Sequence, residues 1–182
     1  MDKLTLDFTL VSGDNVEQYK EDILEILAEC NNDFVPPLTK RDASIGDWNE
    51  KDTGGDLPIE YYNTLLDGYF VILKQGDEVV GFTAFKHKIT LPFIPEMGES
   101  NYLSTTCIKH KYRGTGLGTR LYEYVETQLP DDMKLPYITR RTWSTNYNQL
   151  HIYEKLGYEL FCTIENHRGE GIHTIYYRKK LY

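Results

Sequence analysis

The chain has 182 residues, 40% hydrophobic and 26% charged, with a formal net charge of −8, proportions that exclude intrinsic disorder, collagen-like repeats and coiled coil. The charge is uneven, −12 over residues 1–100 and +4 over residues 101–182, so the overall basic footprint that general nucleic-acid binding needs is missing. No run approaches the roughly 18 apolar residues of a membrane span, and the opening Met1-Asp2-Lys3-Leu4 has no apolar signal stretch. The expectation is therefore a soluble cytoplasmic protein of one domain, residues 1–182, with neither a nucleic-acid nor a membrane partner.

In chain order, residues 4–10 alternate apolar and polar as a half-buried strand does, and Ser12-Gly13-Asp14 offers a turn and a cap. Val16, Tyr19, Ile23 and Leu27 then follow helical spacing until Asn31-Asn32-Asp33. Residues 31–57 are rich in Pro and Gly, with few periodic apolar positions, and predict a long irregular segment of the kind that often serves as a lid. A short helix is expected over 59–66, then a hairpin of 69–74 and 79–85 around Gln75-Gly76-Asp77-Glu78. A strand at 102–108, a helix at 117–129, a strand at 137–143, a helix at 146–156 and strands at 158–164 and 172–178 complete the order. This predicts one mixed α/β domain. The last strand is a candidate sheet edge and so a route to a homodimer, although Arg178-Lys179-Lys180 would oppose pairing there.

Cys30, Cys107 and Cys162 are odd in number and lack CxxC spacing, and the five histidines are scattered without HExxH, so neither a disulfide framework nor a metal site is expected.

The segment Lys111-Tyr112-Arg113-Gly114-Thr115-Gly116-Leu117-Gly118-Thr119-Arg120 falls where a strand gives way to a helix. Glycines let backbone amides approach an anion, and a helix N-terminus adds unpaired N–H groups and a positive dipole end. A P-loop would need Lys after the last glycine, but Thr119 and Arg120 stand there. A dinucleotide fingerprint would need GxGxxG and an acid about 20 residues on, whereas the strand at 137–143 has no acid.

This pattern, Arg113-Gly114-Thr115-Gly116-Leu117-Gly118, resembles the coenzyme turn of the GNAT superfamily of acyl-CoA-dependent N-acyltransferases. A second stretch, Asn146 to Tyr158 with Asn146, Asn148, Tyr153 and Leu156-Gly157, is similar to that family's following helix and strand. The resemblance is good over about residues 65–165, the expected coenzyme-binding core. It implies a central twisted, mostly antiparallel sheet of about six to seven strands, flanked by helices, whose two parallel central strands splay apart.

The resemblance also implies roles. Backbone amides of Arg113, Gly114, Thr115, Gly116, Leu117, Gly118 and Thr119 would hold the pyrophosphate of acetyl-CoA. Amides near Thr106, Cys107 and Ile108 would face the thioester oxygen. Tyr153 would be the general acid beside the sulfur, and Asn146 or Asn148 would bind the pantetheine arm or cap their helix. The strand 102–108 lacks the carboxylate that many members use as base, which leaves Glu99, Tyr102 or Ser104 acting through water. Cys107 as a covalent nucleophile has no adjacent His or Asp to activate it.

Acceptor recognition is expected from the loops over about 31–62 and from 96–102. Phe34, Trp48 and Tyr61 beside the acidic first half suit a cationic amine. Arg140 and Arg141 must point to opposite faces of their strand, and Arg141 could instead hold a substrate carboxylate. The expected activity is acetyl transfer from acetyl-CoA to a primary amine, on a small molecule or a protein, by direct attack in a ternary complex. The alternative is a non-catalytic acyl-CoA sensor or assembly module, and a longer donor such as succinyl-CoA stays open.

Overall fold

The computed structural model describes residues 5–45 and 55–182. Strand β1 (Leu6–Ser12) leads through a 3-10 segment (Gly13–Tyr19) into helix α1 (Lys20–Cys30). The start of the expected first strand, Leu4, lies outside the described residues. The expected start of the first helix is wound as 3-10, a frequent arrangement ahead of an α-helix. Helix α2 (Ile59–Leu65), hairpin strands β2 (Tyr69–Gln75) and β3 (Glu78–Thr90), and β4 (Glu99–Ile108) follow. Then come α3 (Leu117–Thr127), β5 (Tyr137–Trp143), α4 (Tyr147–Lys155), β6 (Glu159–Ile164) and β7 (Thr174–Lys180).

The seven strands form one sheet in the order β1-β2-β3-β4-β5-β7-β6. Only β4 and β5 run parallel; every other neighbouring pair is antiparallel. The final strand departs from its expected place: β7 lies inside the sheet between β5 and β6, so the edge on that side is β6. The reason is that β7 uses both of its hydrogen-bonding sides, against Trp143 to Tyr137 on one and Ile164 to Glu159 on the other.

Side chains alternate across the sheet, and each face has its own core. On the first face Ile23, Ile26 and Leu27 of α1 and Tyr61 and Leu65 of α2 cover Phe70, Phe82 and Cys107. On the second, Leu121 and Val125 of α3 and Tyr153 of α4 cover Val71, Phe85, Leu103 and Ile138. A smaller cluster of Leu91, Tyr102 and Tyr176 extends the first face toward β7. Alternation on β5 sends Arg141 and Trp143 to the α1/α2 face and Arg140 to the α3/α4 face; on β4 the register shift at Ser104 breaks the alternation, so Leu103 lies on the α3/α4 face while Thr105 and Cys107 lie on the α1/α2 face. Among the described residues no helix is long and apolar enough to cross a membrane.

Candidate active site

The pairing of β4 with β5 covers only Asn101 with Ile138, Tyr102 with Thr139 and Leu103 with Arg140. Beyond it the strands diverge, and Ser104–Ile108 of β4 have no ladder partner on that side. Ser104 also sits at a register shift against β3, where its hydroxyl donates to the Ala84 carbonyl at 3.1 Å. The divergence opens a cleft of about 650 Å³, bounded by residues 103–108 and 140–143 and lined by side chains from both faces of the sheet.

The glycine turn closes the α3/α4 side. Gly114 has φ +74° and Gly116 φ +82°, values that any other L-residue reaches only with strain. A Cβ built on Gly114, Gly116 or Gly118 would meet nothing within 4 Å, so the turn faces open space. Gly116 caps α3, and the first intrahelical bond runs from Arg120 N–H to the Gly116 carbonyl at 3.1 Å. The amides of Leu117, Gly118 and Thr119 are therefore first-turn donors with no helical acceptor.

Two ionic anchors hold this turn. Glu78 accepts from Tyr112 Oη at 2.6 Å and Lys111 Nζ at 3.0 Å, and these bonds, with a third from Lys109, hold its carboxyl down at about 2. The Arg113 side chain turns away from the open space. Its Nη2 donates to Asp33 Oδ2 at 2.7 Å and to Cys30 Sγ at 3.1 Å, and its Nε to the Ile108 carbonyl at 3.1 Å. Burial works against the Asp33 charge, but hydrogen bonds from Arg113 and His110 prevail and hold its carboxyl below the usual range. Cys30, Asp33 and His110 bring their ligand atoms within 4.8 Å of one another, and the cation already bonded to two of them is the Arg113 guanidinium. The Cys30 thiol, hydrogen-bonded to Cys107 and beside Arg113, is held below the ordinary thiol range against the effect of burial. Cys107 itself is pushed well above that range by the same bond and by burial, which keeps it a protonated, unreactive thiol.

Tyr153 lies in the cleft wall on the α3/α4 face, ringed by Tyr122, Tyr158 and Tyr177 with centroids 6.1, 5.7 and 5.3 Å away. Burial, then the neighbouring Tyr122, raise its phenol well above the ordinary value, so at neutral pH it carries its proton. Arg140 fills the angle of the splay, its guanidinium 3.9 Å from the Tyr122 ring centroid and its Nη2 donating to Tyr158 Oη at 2.6 Å. Asn146 and Asn148 also line the cleft. Asn146 stands at the α4 N-cap without a side-chain cap bond, its Nδ2 donating instead to Thr142 Oγ1 at 3.1 Å.

On the α1/α2 face the cleft is bordered by Phe34, Thr105, Arg141 and Trp143. Phe34 and Trp143 pack with centroids 5.8 Å apart. Tyr61 is buried and reaches the cleft only through Thr105, whose Oγ1 lies 2.7 Å from its hydroxyl. Two residues that sequence reasoning passed over, Arg41 and Arg168, stand behind this border, both buried. No local pattern marks them, since one comes from the loop after α1 and the other from the β6–β7 connection.

The structure does not bring every candidate to the cleft. Glu99 is exposed at the start of β4, paired with Thr90. Tyr102 is fully buried on the first face, and burial pushes its phenol far up, the wrong direction for a base. Neither lines the cleft, whereas Ser104 does. Trp48 lies outside the described residues.

The description "Acetyltransferase (GNAT) family" belongs to a family model that matches residues 21–158. A GNAT-family acetyltransferase from Bacillus cereus shares the fold at TM-score 0.61 and 18% identity, over 98% of this chain and 99% of that one. The ribosomal-protein-S18-alanine N-acetyltransferase of Escherichia coli is similar at TM-score 0.62 and 13% identity, over 96% and 94%. A GNAT-family acetyltransferase from Elizabethkingia anophelis, solved with acetyl-CoA bound, gives TM-score 0.55 and 16% identity over 66% and 80%. Among curated proteins no sequence relative matches.

Proposed function

The chain belongs to the GNAT acetyltransferase family, and from that premise we propose that it transfers an acetyl group from acetyl-CoA to a primary amine by direct attack in a ternary complex. Acetyl-CoA, when bound, supplies the acetyl group as a thioester. The residues present suit it: the open turn of Gly114, Gly116 and Gly118 and the amides of Leu117 to Thr119 fit a pyrophosphate. The backbone of Thr106 to Ile108, unpaired toward β5, and the side chains of Asn146 and Asn148 suit the pantetheine arm.

In the transfer a nitrogen–carbon bond forms and the carbon–sulfur bond breaks. The β4 amides stabilise the charge that develops on the carbonyl oxygen. Tyr153 gives its proton to the leaving sulfur and regains one from the nitrogen through water. The observation that carries this reading is the placement of Tyr153, protonated and buried, in the wall of the same cleft that the glycine turn closes.

One observation favours a second reading, a non-catalytic acyl-CoA-binding module. Among the described residues the only carboxylate lining the cleft is Asp33, already engaged by Arg113 and His110. Calorimetric titration with acetyl-CoA, followed in the same sample by thiol release against a panel of amines, separates the two. Acceptor-dependent release is expected. Binding with no release from any amine would leave the sensing module, and no binding would overturn both.

A further inference from the structure

The end of α1 and the start of the glycine turn meet at one point. Cys30 closes α1, Asp33 follows in a 3-10 turn (Asn31–Asp33), and His110 opens another (His110–Tyr112) directly after β4. Among the described residues these form the one group of three thiol, imidazole or carboxylate side chains whose ligand atoms all lie within 4.8 Å of one another. Asp33 Oδ2 is 2.9 Å from His110 Nε2, across 77 positions of sequence. Arg113 Nη2 sits between the other two atoms of interest, 3.1 Å from Cys30 Sγ and 2.7 Å from Asp33 Oδ2. Holding a guanidinium asks for a carboxylate or carbonyl oxygen; a thiol is a weak acceptor, so the Arg113 anchor explains Asp33 but neither Cys30 nor His110.

A thiolate, an imidazole nitrogen and a carboxylate oxygen are the ligand classes of zinc(II), whereas the hard cations magnesium and calcium take oxygen. Bonds of about 2.0–2.3 Å in a tetrahedron set ligand atoms about 3.3–3.8 Å apart, so the widest pair of this group has to close by about 1 Å. The side chains that would move have room: His110 is 49% and Asp33 42% exposed, while Cys30 is held in the first core. Arg113, 41% exposed, can swing out to solvent. A metal-bound imidazole usually gives its other ring N–H to a carboxylate, and here Glu29 Oε1 lies 3.6 Å from His110 Nδ1 and accepts the backbone N–H of the same residue. Sequence reading passes over this group because Cys30 and Asp33 form no CxxC and the histidine comes from the far end of β4.

We propose that Cys30, Asp33 and His110 form a zinc(II) site in which the metal takes the place of Arg113 Nη2. On binding, bonds form from zinc to Cys30 Sγ, Asp33 Oδ2 and His110 Nε2, and the hydrogen bonds of Arg113 to Cys30 and Asp33 break. The thiol proton leaves to solvent, because only the thiolate is a ligand. Three protein ligands leave the fourth tetrahedral position to water. The turn keeps its second anchor, the bonds of Tyr112 and Lys111 to Glu78, so the exchange of guanidinium for metal does not require the turn to unfold. The site stands independently of the transferase reading.

The test titrates the full chain, first stripped with a chelator, with zinc chloride in a calorimeter and with cobalt(II) in a spectrophotometer, using magnesium as the hard-cation control. Wild type is expected to bind one zinc, to show a thiolate-to-cobalt absorption band, and to ignore magnesium. His110→Asn should weaken zinc at least about 10- to 100-fold, the loss that even a residue supporting a metal ligand causes. Cys30→Ser should abolish the cobalt band; because Cys30 is buried, the exposed His110 variant keeps the test open should that chain not fold. Arg113→Gln should tighten zinc about tenfold or more, since a charge-assisted hydrogen bond no longer competes, a gain that a site elsewhere on the surface would not show. Absence of one-to-one binding, a cobalt spectrum without the thiolate band, equal affinity in His110→Asn, or no gain in Arg113→Gln would each overturn the site.

Discussion

Arg140 and Arg141, consecutive on β5, serve opposite faces of one opening: the first lies 3.9 Å from the Tyr122 ring centroid on the α3/α4 face, and the second donates to the Ser44 carbonyl at 2.8 Å on the α1/α2 face. Strand alternation requires this separation. Because β4 and β5 part just after Leu103 and Arg140, side chains from both faces line the cleft between them. Under the proposed function, a donor held on one side would be met by an acceptor arriving from the other.

Tyr153→Phe removes the phenol that the proposed mechanism assigns to protonate the leaving sulfur. Its ring contacts with Tyr122, Tyr158 and Tyr177 persist in phenylalanine, so the fold should stand. The expected result is a fall in kcat of about 10²-fold or more, with acetyl-CoA affinity little changed. Steady-state kinetics at saturating donor, beside calorimetry, checks both parts; an unchanged kcat would remove the assignment.

Gly116→Val tests the turn. At φ +82° a β-branched residue costs about 1–2 kcal/mol in backbone strain, although its side chain would meet nothing in the free protein. The loss should therefore concentrate in coenzyme binding, where the new side chain occupies the space before the amides. A rise of about tenfold or more in the Kd for acetyl-CoA is expected, with a thermal midpoint lowered by only a few degrees. Unaltered affinity would place the pyrophosphate elsewhere.

Asp33→Asn releases Arg113 from its anchor. The Asp33 side chain is 42% exposed, so solvent screening limits the direct loss to about 0.2–1 kcal/mol, or up to about 4 °C in Tm for a chain of this size. The sign with pH follows from the lowered carboxyl. The stabilisation is complete above the ordinary value of 3.8 and disappears as pH falls through the lower folded-state value. Wild type and variant should differ in Tm at pH 7 and converge below about pH 3.8. A gap that persists or widens in acid would show that the carboxylate charge is not what matters.

Much of the architecture is legible in the residue order because its causes are local. The hairpin around Gly76, the strand 137–143 and the helix beginning after Asn146 are written in periodicity and turn chemistry acting over a few residues. So is the strand-to-helix turn at Gly114 and Gly116, whose positive φ only glycine adopts freely, and whose following helix supplies unpaired amides wherever the chain is folded. Tyr153 stands out only through the resemblance of the stretch from Asn146 to Tyr158 to the family's helix and strand.

What only the tertiary structure decided depends on segments far apart in the chain. β7 was expected at an edge, yet it lies between β5 and β6, because pairing partners are chosen by the whole sheet. Arg113 reads as a residue whose backbone amide serves the coenzyme; that its side chain bonds Asp33, 80 positions away, is written in no local pattern. Tyr102 and Glu99, named as bases for their place on β4, fall outside the cleft because alternation and distance along the strand carry them from it. Arg41, Arg141 and Arg168 share no motif and no spacing. They meet because the loop after α1, the splayed end of β5 and the β6–β7 connection converge on one side of the sheet. A sequence fixes short-range geometry through backbone sterics and side-chain periodicity; the electrostatics of a site depend on distances through space, which exist only once the chain has folded.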